Sequence, residues 1–285
     1  MKEINRIYLI INFKIKIYHA ISLLAFYGEK LKLNQKNVVI TGAASGIGLA
    51  ILEQALEQGV AKVITCDLSP LPIERENIIH IQADLTTKEG NQKLFSEAER
   101  LNAIDVFIAN AGFAYYEKDM KNSWERIEKI MTLNCTSPIF SFQQMLKINQ
   151  EKPFTMVLVS SAMAKFPMPG YALYSASKSA LEGFSRSMKW VKPDHVKIIN
   201  VYPIATRTKF FDSAANSPPI PWPTQQPRDV AKRVVEALFT DTSSVYPSRT
   251  FAWAYYMNVV IPIILPAYAL FEKFRLHRWS HQPAK

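Results

Sequence analysis

From residue 37 to about residue 248, short and almost unbroken apolar runs alternate with helical patterns, and this alternation narrows the possible folds more than any other feature of the chain. The runs are "NVVIT", "KVITCD", "IIHIQADL", "DVFIANAG", "FTMVLVSS" and "VKIINVYP". A strand with one wet face alternates apolar and polar residues, whereas a strand covered on both faces is apolar throughout. Between the runs stand helical patterns: "GLAILEQALEQG", "NQKLFSEAERL", a segment from "WERIEKIMTLN" onward, and a helix through "YALYSASKSALEG". Parallel strands need such crossovers, and the crossovers cover the sheet. The expected fold class is α/β, a doubly wound parallel sheet between two helical layers.

Three parts follow along the chain. Residues 1–36 form an apolar and basic extension, 37–248 the alternating domain, and 249–285 an apolar and then basic tail. No internal repeat or low-complexity linker separates them. With 285 residues, 48% of them hydrophobic and 20% charged, the chain is long enough for one large domain with a substantial core. Its two cysteines, Cys66 and Cys135, have neither metal-ligand spacing nor a pairing framework, so thiols in a reducing, cytoplasmic setting and no metal site are expected.

The formal charge of +10 is concentrated partly at the ends, in Lys2, Arg6, Lys14, Lys16, Lys30, Lys32 and Lys36 and in Lys273, Arg275, Arg278 and Lys285. No aromatic and basic nucleic-acid motif accompanies them, which argues against nucleic acid as a partner. Both basic ends flank apolar stretches, so anionic lipid headgroups at the cytoplasmic membrane face are the more natural partner.

The turn after the first strand reads "TGAASGIG", residues 41–48. Gly42, Gly46 and Gly48 allow a tight turn, a bare backbone that a pyrophosphate can approach, and close packing of helix on strand, while the helix N-terminus offers unpaired amides. The spacing G-x-x-x-G-x-G differs from the commoner G-x-G-x-x-G. A purely structural turn is the competing reading. Asp67 ends the second strand, where a carboxylate can accept hydrogen bonds from an adenosine ribose and would repel a 2′-phosphate; this favours NAD over NADP. Further on, Tyr174 and Lys178 are four residues apart and so share a helix face. A fixed cation near a phenol, whose ordinary pKa is about 10, favours the phenolate.

These features occur in one order: "TGAASGIG", the acid in "CDL", "ADL" with Asp84, "ANAG", "LNCTS" with Asn134, "VSSA" with Ser161, and "YSASK". In that order the middle of the chain, roughly residues 37–248, resembles the short-chain dehydrogenase/reductase family of the ordinary single-domain type, which has a Rossmann-like fold. The resemblance implies that Tyr174 is the general acid and base and that Lys178 lowers its pKa and holds the nicotinamide ribose. It also implies that Ser161 holds the substrate oxygen and that Asn134 anchors a water in a proton relay. On the cofactor side it implies Ile47 and Ser45 in the glycine loop, Asp84 with Leu85 near the adenine, and Asn110, Ala111 and Gly112 near the adenosine ribose. Pro203 and Thr208 match a later family segment, but Ile204 stands where the family has glycine. Ala109 likewise replaces an asparagine frequent in the family.

The segment "KFFDSAANSPPIPWPT" reads as a proline-stiffened apolar lid in which Phe210, Phe211 and Trp222 favour a small hydrophobic alcohol or ketone. Residues 251–271 carry no charge over 21 positions, which is long enough for a bilayer. Pro262 and Pro266 are expected to break the helix there, which leaves three uses open: pocket wall or subunit contact, shallow membrane contact, and a span. The first 36 residues are open between an in-plane amphipathic helix and a start assigned too far upstream.

Two functional readings remain. One is an oxidoreductase that passes hydride between NAD(H) and a hydrophobic secondary alcohol or ketone, as a homo-oligomer by resemblance. The other is a nucleotide-binding regulatory or scaffold protein without turnover. A sugar epimerase or dehydratase is disfavoured, because relatives of that kind carry a larger C-terminal substrate domain.

Overall fold

In the computed structural model, which describes residues 33–117, 122–211 and 220–280, seven parallel strands make one sheet. They are β1 (Asn37–Thr41), β2 (Lys62–Asp67), β3 (Ile78–Gln82), β4 (Val106–Ala109), β5 (Phe154–Val159), β6 (Val196–Val201) and β7 (Ser244–Val245), in the order β3-β2-β1-β4-β5-β6-β7. The helices are α1 (Gly46–Glu57), α2 (Lys88–Ala98), α3 (Trp124–Met131), α4 (Ser137–Asn149), α5 (Ala162–Lys165), α6 (Ala172–Val191), α7 (Pro227–Leu238), α8 (Arg249–Val260) and α9 (Ile264–Ser280). The N-terminal extension up to residue 32, the side chain of Phe211 and residues 212–219 of the expected lid lie outside the described residues.

The apolar strands divide their side chains between two cores. Val38 and Ile40 of β1 join Val63, Val106, Ile108, Val157 and Val159 beneath α1 and α7. Val39, between them, faces the opposite way and joins Ile64, Phe107, Met156 and Leu158 beneath α2, α4 and α6. The period of two thus buries both faces of each strand, and each buried aliphatic side chain contributes roughly 1.5–3 kcal/mol. The result is the expected three-layer, doubly wound α/β fold.

Boundaries moved where caps decided them. The pattern places the second helix at residues 91–101, but α2 starts at Lys88 because the Thr87 hydroxyl accepts from Gly90 N at 3.0 Å. Between α3 and α4 the chain makes a π-helical turn, Thr132–Thr136, in place of uniform α-helix. Pro266 does not break α9. It lies in that helix's first turn, where the amide has no intrahelical partner to lose, so only Pro262 sits in the break between α8 and α9.

Candidate active site

Strand order reverses between β1 and β4, and the loops leaving their carboxyl ends diverge there into a crevice. The glycine loop enters it from β1. Gly42 and Gly46 have φ of +67° and +58°, a conformation that side chains resist. At Gly48 the constraint is space: a Cβ would lie 2.0 Å from the Gly42 carbonyl oxygen. Ser45 caps α1 with extended backbone and makes no side-chain cap bond, which leaves the first amides of the helix and the Ser45 hydroxyl facing the cavity.

Neighbouring loops hold this turn in place. Asp67 accepts from Ala44 N at 2.9 Å and from Ser69 N at 3.0 Å, tying the end of β2 to the glycine loop. Asn110 donates through Nδ2 to the carbonyls of Thr41 and Gly42, both at 3.0 Å. The Thr41 hydroxyl accepts from the amides of Asn110 and Ala111. Asp84 accepts from the Thr86 amide and hydroxyl. Gly42, Ser45, Gly46, Ile47, Asp67, Asp84, Leu85, Asn110, Ala111 and Gly112 all line one cavity of about 930 Å³. Gly48 packs behind its wall.

Ser161, Tyr174 and Lys178 line the same cavity. Ser161 caps α5, its hydroxyl oxygen accepting from Met163 N at 3.0 Å, and its side chain acts on the Tyr174 phenol, lowering its pKa. Lys178 donates to the Val159 carbonyl at 2.8 Å, with its Nζ 5.9 Å from the Tyr174 ring centre. Both side chains are buried, and burial acts on them in opposite senses. It pushes the phenol up to about 12, against a lowering effect of the Ser161 hydrogen bond, and pulls the ammonium down to about 8. The resemblance implies that Lys178 lowers the phenol; burial works the other way, and its effect is larger than that of the Ser161 hydrogen bond.

Asn134 lies behind the cavity wall, in the π-helical turn, and is fully buried. Its Oδ1 accepts from Phe113 N at 3.1 Å, and its Nδ2 donates to the Phe113 carbonyl at 2.9 Å and to the Ser177 hydroxyl at 3.0 Å. The side chain thus joins the loop after β4 to α6, one residue from Lys178. Two further contributors gave no signal in the sequence reading. Glu117 accepts from Leu173 N at 2.8 Å in the first turn of α6, and Thr41 is described above. The first joins residues 56 apart, which no local pattern reveals.

The opposite end of the cavity is apolar. The Phe210 ring meets Tyr174 edge-on at 5.6 Å, and Met163, Phe166, Trp222, Phe251, Leu265 and Tyr268 continue the wall. Pro203, Ile204 and Thr208 also line it, with Thr208 closing over Gly46, where a Cβ would come within 3.0 Å of Thr208 Cγ2. The C-terminal tail therefore supplies pocket wall. No group of three or more His, Cys, Asp or Glu that could hold a metal occurs among the described residues.

Comparison with known proteins places this geometry in context. A family profile described as short chain dehydrogenase matches residues 36–218. An uncharacterized oxidoreductase of Schizosaccharomyces pombe is 27% identical over 190 residues, which cover 64% of this chain and 65% of that protein. A hydroxynaphthalene reductase-like protein, Arp2, of Metarhizium robertsii is 28% identical over 196 residues, 64% of this chain and 73% of its own. The chain thus matches just under two thirds of the length of the first relative. Among solved structures, a short chain dehydrogenase from Burkholderia cenocepacia in complex with NADP superposes with a TM-score of 0.73 at 22% identity, covering 84% of this chain and 99% of that one. A 4-hydroxyisoleucine dehydrogenase complexed with NADH gives 0.65 at 22% identity, covering 74% and 96%.

Proposed function

The chain belongs to the short-chain dehydrogenase family, and from that membership we propose that it transfers hydride between NAD(H) and a hydrophobic secondary alcohol or ketone. The observation that carries the reading is the grouping of Ser161, Tyr174 and Lys178 in one cavity with the glycine loop. That loop fits a dinucleotide: bare glycines, free helix-end amides and the Ser45 hydroxyl are donors suited to a pyrophosphate. Nicotinamide bound there supplies or accepts the hydride.

The protein's own residues handle the proton. Tyr174, pushed up to about 12, is protonated at neutral pH and donates to the carbonyl oxygen during reduction. Ser161, in the same cavity as the phenol, shares that oxygen and orients it. The Lys178 ammonium stabilises the phenolate left behind, in a site where low polarity strengthens the attraction. In the oxidising direction the same groups act in reverse.

Cofactor choice follows from Asp67. Its carboxylate lies at the end of β2 against the glycine loop, where a 2′-phosphate would meet like charge, and this supports NAD. The aromatic wall of Phe166, Phe210, Phe251 and Tyr268 supports a hydrophobic substrate. A homo-oligomer on the cytoplasmic side belongs to the same proposal.

The test is turnover of the full-length protein against a panel of hydrophobic secondary alcohols and ketones, with NAD(H) and NADP(H) in parallel. Turnover favouring NAD(H), reduced by roughly 10²–10⁴-fold in Tyr174→Phe with cofactor binding retained, is the expected result. Equal turnover in Tyr174→Phe would refute the assignment of the proton to that phenol.

A further inference from the structure

The two C-terminal helices carry no charge over residues 251–271, and each uses only part of its apolar surface. Their inner faces wall the cavity through Phe251, Ala254, Leu265 and Tyr268. Their outer faces and the turn between them carry Trp253, Tyr256, Val260, Ile263, Phe271 and Phe274, each at least 55% exposed. No other region of the described residues exposes so dense a set of large apolar side chains. Soluble surfaces rarely leave a contiguous apolar patch of that kind uncovered.

The pair cannot cross a bilayer as a straight helix. The axes bend by 120° at the break around Pro262, and no single helix among the described residues is long and apolar enough to span. The bend is held from within: Asn258, from α8, accepts from Leu265 N at 3.0 Å in the first turn of α9. The second helix is fastened to the body, Tyr268 donating to the Trp222 carbonyl and Arg275 to the Ile220 carbonyl. An apolar hairpin fixed to the domain suits the plane of an interface.

Charge selects the occupant. The two helices carry exposed Arg249, Lys273 and Arg278, whereas their one acid, Glu272, is 1% exposed and paired with Arg275. A second copy packed on this face by a two-fold axis would bring these cations toward their own images with no exposed acid on the pair to offset them. An anionic lipid surface offers the complementary charge, and the exposed Trp253 and Tyr256 have the amphipathic rings that collect at headgroup depth.

We propose that the outer face of α8 and α9 docks in the headgroup layer of an anionic bilayer, placing the apolar end of the cavity directly behind the contact. This goes beyond the dehydrogenase reading and is tested without cofactor or substrate. The full-length protein is sedimented with vesicles of phosphatidylcholine alone and of phosphatidylcholine mixed with phosphatidylglycerol.

Binding to the mixed vesicles is expected to exceed binding to the neutral ones. The triple variant Trp253→Glu, Val260→Glu, Ile263→Glu should weaken it by roughly tenfold or more, with an unchanged melting temperature, since none of the three lines the cavity. The double variant Lys273→Glu, Arg278→Glu should lower binding to the anionic vesicles alone, and it serves if the triple variant fails to fold. Wild-type protein that ignores both vesicles overturns the proposal. So does a wild-type dimer that the triple variant dissociates without any lipid binding, which would make a second copy the occupant.

Discussion

Asn134→Ala separates two roles for one side chain. The residue is fully buried, and its amide makes three hydrogen bonds, two with the Phe113 backbone and one with Ser177. Truncation leaves the Phe113 N–H and C=O without these partners. A buried orphan of this kind costs roughly 1–3 kcal/mol, and Phe113 is only half-buried, so about 1 kcal/mol for each group is the reasonable share. The lost volume in a closed site adds about another 1–2 kcal/mol. Ser177 loses one donor but still donates to the Tyr174 carbonyl at 2.8 Å, which limits the damage there. The sum is about 3–4 kcal/mol. In a domain of this size each kcal/mol lowers Tm by roughly 2–4 °C, so a fall of about 6–16 °C is expected. Calorimetry of the full-length protein reads it directly, with kcat/KM measured in parallel below the new transition. A Tm within about 2 °C of wild type, with kcat/KM down by more than about 10², would refute the joining role and leave proton traffic as the function of Asn134.

Four further outcomes follow from the structure. Gly48→Ala places a methyl 2.0 Å from the Gly42 carbonyl oxygen, so the loop must shift and NAD(H) affinity by titration calorimetry should fall by roughly tenfold or more. Gly183→Ala in α6, where a Cβ meets nothing within 4 Å, should instead raise stability by roughly 0.5–1 kcal/mol; a fall in both would discredit the packing argument. Asp67→Asn keeps an acceptor for Ala44 N but removes the charge, so the ratio of kcat/KM for NADPH to that for NADH should rise by about tenfold, and a constant ratio would deny Asp67 the selection. The reduction should also lose kcat/KM as pH rises through about 8, where Lys178 gives up its ammonium, while the phenol stays protonated to about 12; a level profile from about pH 6 to 10 would contradict this.

The sequence made the strands readable because a parallel sheet buries both faces, and runs such as "VVI" and "MVLV" admit little else. Ser161, Tyr174 and Lys178 were readable as an ordered set, and the fold brings them to one cavity wall. What escaped was the support. Glu117 reaches α6 from a loop 56 residues earlier, and the π-helical turn that aims Asn134 depends on packing between α3, α4 and α6. The tail was ambiguous for a related reason: 21 uncharged residues suit a span by length, and only the folded chain shows that Phe251, Ala254, Leu265 and Tyr268 wall the cavity.

Helical spacing puts Tyr174 and Lys178 on one face but does not say where that face points. Four contacts from other elements do. Glu117 takes the first-turn amide at Leu173, Ser160 donates to the Lys178 carbonyl, Asn134 holds Ser177, and the Val159 carbonyl receives the Lys178 ammonium. Three of the four lie on the loops or carboxyl ends of β4 and β5, which also border the glycine loop at the point of strand reversal. The ammonium rests on a neutral carbonyl, and burial draws its pKa down against a smaller raising effect of Cys135. An anion formed beside it, such as the Tyr174 phenolate, relieves that cost. In the proposed reaction, proton donation from Tyr174 to substrate creates a negative charge beside the buried lysine.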